Sequence, residues 1–174
     1  GDRRDMPLFS FIQAFRGLIR QILTEDDYII LKWKTRIQDA LGQNGGIITD
    51  VLPELEMIIG PQPAAQEVPP EEATNRFHYT VGKFIQVFAR EKHPLVVFLD
   101  DLQWADPSSM TILRRFSEEK NLQYVYLIAA LRENEIEENH HVTYWIKDMK
   151  KAGTLLHERC LTPLSFETEN RIIS

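Results

Sequence analysis

Leu95-Val96-Val97-Phe98-Leu99-Asp100-Asp101-Leu102-Gln103-Trp104-Ala105-Asp106 is the stretch on which the reading of this chain turns. Five apolar residues run without alternation and stop at two adjacent carboxylates. An unbroken apolar run of this length predicts a strand buried on both faces, in a parallel sheet covered by helices. In such sheets the ligand crevice lies at the carboxyl ends of the strands. Two acids there are placed to hold a metal and to polarise a water.

Outward from this strand the rhythm is alternating. Lys92-His93-Pro94 ends a long amphipathic helix over Glu71 to Arg90, whose apolar face is Phe77, Val81, Phe84, Ile85 and Phe88. After the acids, Pro107–Glu118 reads as a helix, Gln123–Leu131 as a strand, His140–Lys151 as a helix and Thr154–Leu161 as a strand. Ser165–Ile173 begins another helix. Strands alternating with helices of this length indicate a parallel α/β sheet.

The first half is helical. Pro7 to Leu23 carries Leu8, Phe11, Ile12, Phe15, Leu18, Ile19 and Ile22 at helical spacing. Glu25 to Leu41 is a second helix, with Trp33, Ile37 and Leu41 on one side, stopped by Gly42 and the pair Gly45-Gly46. Ile47 to Ile59 is a third, which Pro53 shortens or bends. The expected division is residues 1–60 as a helical first half, 61–70 as a proline-rich loop, 71–164 as the α/β body and 165–174 as the start of a helical lid.

Composition narrows the function. The 174 residues hold 43% hydrophobic and 26% charged residues, a globular balance, with net charge -6 and no long basic run. Nucleic acid is not expected as a direct ligand, because phosphate binding needs clustered Lys and Arg. The single Cys160 excludes an internal disulfide and a multi-cysteine metal cage. Placed in the Thr154–Leu161 strand, it reads as a buried, inert thiol. No apolar run approaches the roughly 20 residues of a membrane span, and the charged Gly1-Asp2-Arg3-Arg4-Asp5 start lacks an apolar signal core. No membrane and a cytoplasmic location are the default expectations.

The acids have two readings. In one, a strand end simply carries solvated carboxylates. In the other, an apolar strand ending in Asp-Asp is the Walker B element of a nucleotide-triphosphate site. Asp100 would then hold Mg²⁺ through water, because that ion dehydrates reluctantly. Asp101 would orient or deprotonate the attacking water.

The wider string Asp-Asp-Leu-Gln-Trp-Ala-Asp-Pro-Ser-Ser resembles the Walker B region of the signal-transduction ATPases with numerous domains. These are AAA-like regulatory NTPases inside large sensor kinases, Ser/Thr kinases, cyclases and transcription activators. Other segments agree in order. Ile12-Gln13-Ala14-Phe15-Arg16-Gly17-Leu18-Ile19 resembles the helix after the family's second strand. Leu52-Pro53-Glu54-Leu55 with Ile59-Gly60 resembles its proline-glutamate-leucine turn, and Asn75-Arg76-Phe77 the start of the helix before Walker B. Leu131-Arg132-Glu133-Asn134-Glu135 resembles the tip of the fourth strand, and Leu161-Thr162-Pro163-Leu164-Ser165 the exit from the fifth. The likeness covers nearly the whole chain and is nearest to ATPase modules of bacterial multidomain kinases.

The resemblance implies a P-loop NTPase-like sheet with strand order 5-1-4-3-2, ATP and Mg²⁺ as cofactors, and other domains of the same polypeptide (kinase, cyclase or DNA-binding output) as partners. Homo-oligomer assembly is open. It implies that Arg132 sits beside the γ-phosphate, where a planar fork of donors suits phosphate; a solvated loop arginine is the alternative. Asp106 before Pro107 reads rather as a helix cap, and Trp104 as packing the loop onto the domain. Arg76 reads as an exposed helix arginine, His140-His141 as a helix start, and Glu133, Glu135, Glu137 and Glu138 as a solvated acidic loop.

No Gly-x-x-x-x-Gly-Lys-Ser/Thr occurs among the 174 residues, so the phosphate cradle of backbone N–H groups is not among them. With the family's first strand lacking, the third, fourth and fifth strands would leave a slot in the sheet, where unpaired backbone groups are costly. The chain is therefore expected to be part of a longer protein, or its last two strands to pair directly. Two functions compete. The first is a nucleotide-dependent switch, and the second a non-catalytic interaction module with a degenerate NTPase fold. A phospho-accepting receiver domain fits worse, since Val125–Leu131 ends in Arg132 rather than Asp and Thr162 precedes Pro163 where Lys is needed. A glycoside hydrolase fits least, because its two carboxylates must flank the scissile bond.

Overall fold

The structure is a computed structural model that describes residues 9–105, 109–111, 113–114, 122–137 and 140–161. Among the described residues it is a mixed α/β arrangement in which helices predominate over a two-stranded parallel sheet.

Helix α1, Phe9–Ile22, buries Ile12, Phe15, Ile19 and Ile22, the face that helical spacing predicts. Helix α2, Asp27–Leu41, buries Ile37 and Leu41 and lays Trp33 on Phe88 with ring centres 5.2 Å apart. Gly42, at φ +52°, caps α2 by donating its N–H to the Gln38 carbonyl. The pair Gly45-Gly46 does not end this helix, contrary to expectation. A 3₁₀ turn over Gly42–Asn44 does, and the two glycines open α3, Gly45–Val51. Both are buried because the proline-rich segment passes close by: a Cβ on Gly46 would collide with the Pro63 carbonyl oxygen.

Pro53 divides the region expected to be one helix over Ile47 to Ile59. Leu52 is driven to φ −134°, ψ 71°, out of helical space, as expected for a residue before proline. A 3₁₀ turn over Pro53–Leu55 follows, and then α4, Glu56–Ile59. The Gln38 side-chain amide donates to the Ile59 carbonyl at 3.0 Å, and Arg16 pairs with Glu54, so α1 and α2 both hold this turn. Helix α5, Pro70–Phe88, starts on a proline with Glu71 and Glu72 in its first turn, favourable to the helix dipole. Its Phe84 and Phe88 meet Phe15 at 5.2 and 5.6 Å between ring centres. These contacts form the main core.

Strand β1, Leu95–Leu99, pairs in parallel with β2, Val125–Ala129, with Leu95 opposite Val125 and Leu99 opposite Ala129. Gln86 of α5 clamps the approach to β2, its amide accepting the Gln123 N–H at 2.9 Å and donating to the Gln123 carbonyl at 3.2 Å. Helix α6, His141–Lys151, supplies Val142, Trp145 and Met149 to a second core with Leu102, Met110 and Leu113. Leu95 and Val125 lean on the first core, and Leu99 and Leu127 on the second.

Three expectations are corrected. The sheet is covered on one face: Val96, Phe98, Tyr126 and Ile128 are exposed on the other. Residues 154–161 form no strand. Leu155 and Leu161 stand exposed, Leu156 reaches the second core, and Lys150 pairs with Glu158. A strand needs a neighbour for its backbone groups, and this segment joins no ladder. Cys160, expected to be buried there, is exposed. Residues 109–111 and 113–114 are helical within the expected Pro107–Glu118 helix. The Asp106 cap and the Ser165–Ile173 helix lie outside the described residues.

Candidate functional site

Parallel pairing brings the carboxyl ends of β1 and β2 side by side, and the chain locks them there beyond the ladder. The Ala130 N–H donates to the Leu99 carbonyl at 2.8 Å, and the Leu102 N–H to the Ala130 carbonyl at 2.9 Å. Asp100 and Asp101 leave one strand tip and Arg132 leaves the other. The structure thus brings all three sequence-predicted site residues together.

Asp101 sits at φ 51°, ψ 43°, the left-handed region. Asp tolerates this conformation better than most residues, and such outliers concentrate at functional sites. The conformation reverses the chain into a 3₁₀ turn over Leu102–Trp104, closed by the Trp104 N–H on the Asp101 carbonyl at 2.9 Å. Leu102 anchors the turn in the second core. Trp104 does not pack the loop, as expected, but is 74% exposed. With three residues per turn, the burial of Leu102 and Gln103 leaves Trp104 on the remaining, outward side.

Asp100 is exposed, and its Oδ1 accepts the Asp101 N–H at 2.9 Å. Asp101 Oδ1 lies 3.3 Å from Arg132 Nε and accepts Gln103 Nε2 at 3.1 Å. Arg132 also donates from Nη1 to Glu135 Oε1 at 3.1 Å. Its guanidinium is held above its ordinary pKa by the Glu135 hydrogen bond, then by the charges of Asp101, Glu135 and Asp100, against a smaller desolvation effect. Arg132 is a cation at every relevant pH, aimed at the acid pair.

Gln103 and Glu135 are members of this cluster that sequence reasoning passes over. Glu135 stands among acids read as solvated, yet its side chain is 28% exposed and bonded to both Arg132 and Gln103. The motif itself marks Gln103 by position, but periodicity has no means of showing that a polar residue is buried. Other candidates lie elsewhere. Arg76 donates to the Gln66 carbonyl and pins the proline-rich loop to α5. His140 caps α6, its Nδ1 accepting the Val142 N–H at 3.3 Å.

Among the described residues no three His, Cys, Asp or Glu side chains converge as a metal cage. Mg²⁺ needs no such cage: it binds through one or two carboxylates, waters and phosphate oxygens. The exposed Asp100 carboxylate fits that role. A small apolar cleft in the helical half, lined by residues such as Ile12, Phe15, Ile48, Phe77 and Phe84, includes nothing from the strand tips.

The AAA ATPase domain family matches residues 2–128, a span that includes β1, Asp100 and Asp101 and ends at Ile128, short of Arg132. The chain belongs to that family. This AAA ATPase module is also 38% identical over 112 residues to the hybrid signal transduction histidine kinase G of Dictyostelium discoideum. That match covers 64% of the chain and 3% of the kinase, so the chain corresponds to a small part of its relative. No solved structure matches the module significantly. Among the described residues no helix is long and apolar enough to cross a membrane.

Proposed function

We propose that the module is part of a regulatory ATP-binding and ATP-hydrolysing switch in a multidomain signalling protein, built on a P-loop NTPase-like sheet. Its contribution is the Mg²⁺ and water side of the site. The observation that supports this most is the convergence of Asp100, Asp101 and Arg132 at adjacent tips of two parallel strands, in a chain of the AAA ATPase family. On this reading β1 is the Walker B strand, residues 71–164 are the α/β body and 165–174 lead into a helical lid. The phosphate-cradling loop comes from residues outside these 174, which carry no Gly-x-x-x-x-Gly-Lys motif.

Each side chain then has a role. Asp100 would hold a Mg²⁺ ion through its water shell, and the ion would supply charge neutralisation at the phosphates. Asp101 takes the proton as the water oxygen bonds to the γ-phosphorus and the bond to the bridging oxygen breaks, leaving ADP and phosphate. Arg132 faces the charge on the γ-phosphoryl oxygens.

The test uses the longer polypeptide that carries the module, with Mg·ATP affinity and single-turnover hydrolysis measured side by side. Asp101→Asn is expected to slow hydrolysis by about 100-fold or more, the scale of a lost general base, with affinity nearly unchanged. Asp100→Ala is expected to weaken Mg²⁺-dependent binding. Wild-type turnover by Asp101→Asn would overturn the assignment. ATP-independent assembly unaffected by Asp100→Ala would favour a non-catalytic interaction module instead.

A further inference from the structure

Two side chains without a role in that chemistry tie the acid to the arginine. Gln103 is 4% exposed, yet both ends of its amide are satisfied. Nε2 donates to Asp101 Oδ1 and to Glu135 Oε2, each at 3.1 Å, and Oε1 accepts the Arg132 backbone N–H at 3.3 Å. The reversed amide would set its oxygen against two carboxylates, so this network fixes its orientation. Arg132 closes the ring through Glu135 Oε1 and Asp101 Oδ1.

The closed ring occupies the groups assigned above. Asp101 Oδ1 accepts Gln103 Nε2 and lies 3.3 Å from Arg132 Nε. The Arg132 guanidinium already faces two carboxylates. A phosphate brings more charge and more acceptor oxygens to a guanidinium fork than a carboxylate does. Gln103 is held differently, by the backbone N–H of Arg132 rather than by its guanidinium. It therefore keeps its grip on Asp101 when that guanidinium turns away.

We propose that Gln103 and Glu135 are positioning residues of a phosphate-gated latch. In it Glu135 is the resident anion that an incoming γ-phosphate displaces from Arg132, while Gln103, bonded to Asp101 and to the Arg132 backbone, keeps the acid in place as the guanidinium turns. The latch rests on the ATP reading of the site.

Calorimetric titration with Mg·ATP, in the polypeptide carrying the module, tests it. Glu135→Gln keeps an acceptor for Gln103 but removes the competing charge. Its Kd is expected to fall about 2- to 5-fold at low ionic strength, the range of a partly exposed ion pair. The gap should narrow in high salt as the charges are screened, and Glu135→Asp should restore the wild-type Kd. Gln103→Met is expected to lower kcat by about tenfold, the scale of a misplaced catalytic group, with KM little changed. Without nucleotide, solvent exchange at the Arg132 Nε–H should quicken in Glu135→Gln, a reading of the latch that needs neither ATP nor the buried Gln103 variant. Unchanged affinity and unchanged exchange in Glu135→Gln would overturn the latch and leave the ATP reading intact. Failure of the wild type to bind Mg·ATP would overturn that reading, and the latch with it.

Discussion

Asp101 carries two demands at once, and they separate under substitution. Its backbone is left-handed, at φ 51°, which a β-branched side chain adopts only under strain. Its carboxylate accepts Gln103 and faces Arg132. Asp101→Asn keeps the backbone tolerance and an oxygen for Gln103, so its stability cost stays within about 1 kcal/mol, the worth of an exposed ion pair. Asp101→Val loses both and is expected to cost about 1–3 kcal/mol more. Urea midpoints of the two variants check this, and equal midpoints would contradict the strain account. At this scale the sequence was legible for Asp100, Asp101 and Arg132, because their residue types announce their chemistry. It was silent on Gln103 and read Glu135 as a solvated acid, because the two are partners 32 residues apart in the chain. For Trp104 and Cys160, hydrophobic character alone pointed inward, while the turn and the irregular segment that carry them leave both exposed.

Between elements, the Arg16–Glu54 pair ties α1 to the turn that Pro53 creates. Burial opposes ionisation of Glu54. Its own backbone N–H, the Arg16 hydrogen bond and charge, and Arg20 together outweigh that effect and hold the carboxyl below its ordinary value of 4.5. The unfolded chain then binds this proton more readily than the folded one. The stability contributed by Glu54 is whole above pH 4.5 and is lost as pH falls through the lower folded value. Thermal midpoints of wild type and Glu54→Gln are expected to differ near neutrality and to converge in acid, and a constant difference across that range would refute the coupling. The boundaries of β1 were readable because a turn signal and an acid pair bracket its apolar run, whereas β2 is shorter than the expected Gln123–Leu131 by two residues at each end and Thr154–Leu161 is no strand. The third helix was not, since whether a proline bends or splits a helix depends on what else supports the flanking turns. The glycine pair was misread for a related reason. Its function is the close passage of Pro63 over Gly46, a contact between segments that local pattern does not contain.

On the scale of the whole molecule, two cores meet beneath one face of the sheet and leave the other face apolar and open. Val96, Phe98 and Ile128 are 55%, 60% and 40% exposed, a contiguous patch where soluble domains usually carry polar residues. An unbroken apolar run signals a strand covered on both sides, and one of the two covers is lacking among the described residues. The 174-residue chain is therefore expected to bind a hydrophobic dye such as ANS. Phe98→Ser with Ile128→Ser should abolish most of that signal with little change in the unfolding midpoint. Dye binding unaffected by the pair would place the open surface elsewhere. The backbone bonds that join Leu99, Ala130 and Leu102 have a separate consequence. They fuse the two strand tips into one unit, so the spacing of Arg132 from the acids is counted in residues rather than adjusted by loop motion. Consecutive side chains on extended backbone face opposite ways. One residue inserted between Ala129 and Arg132 would turn the guanidinium to the other side of the sheet, while an insertion beyond Glu135 would not be felt. This corner of the chain should accept changes of residue type far more readily than changes of length.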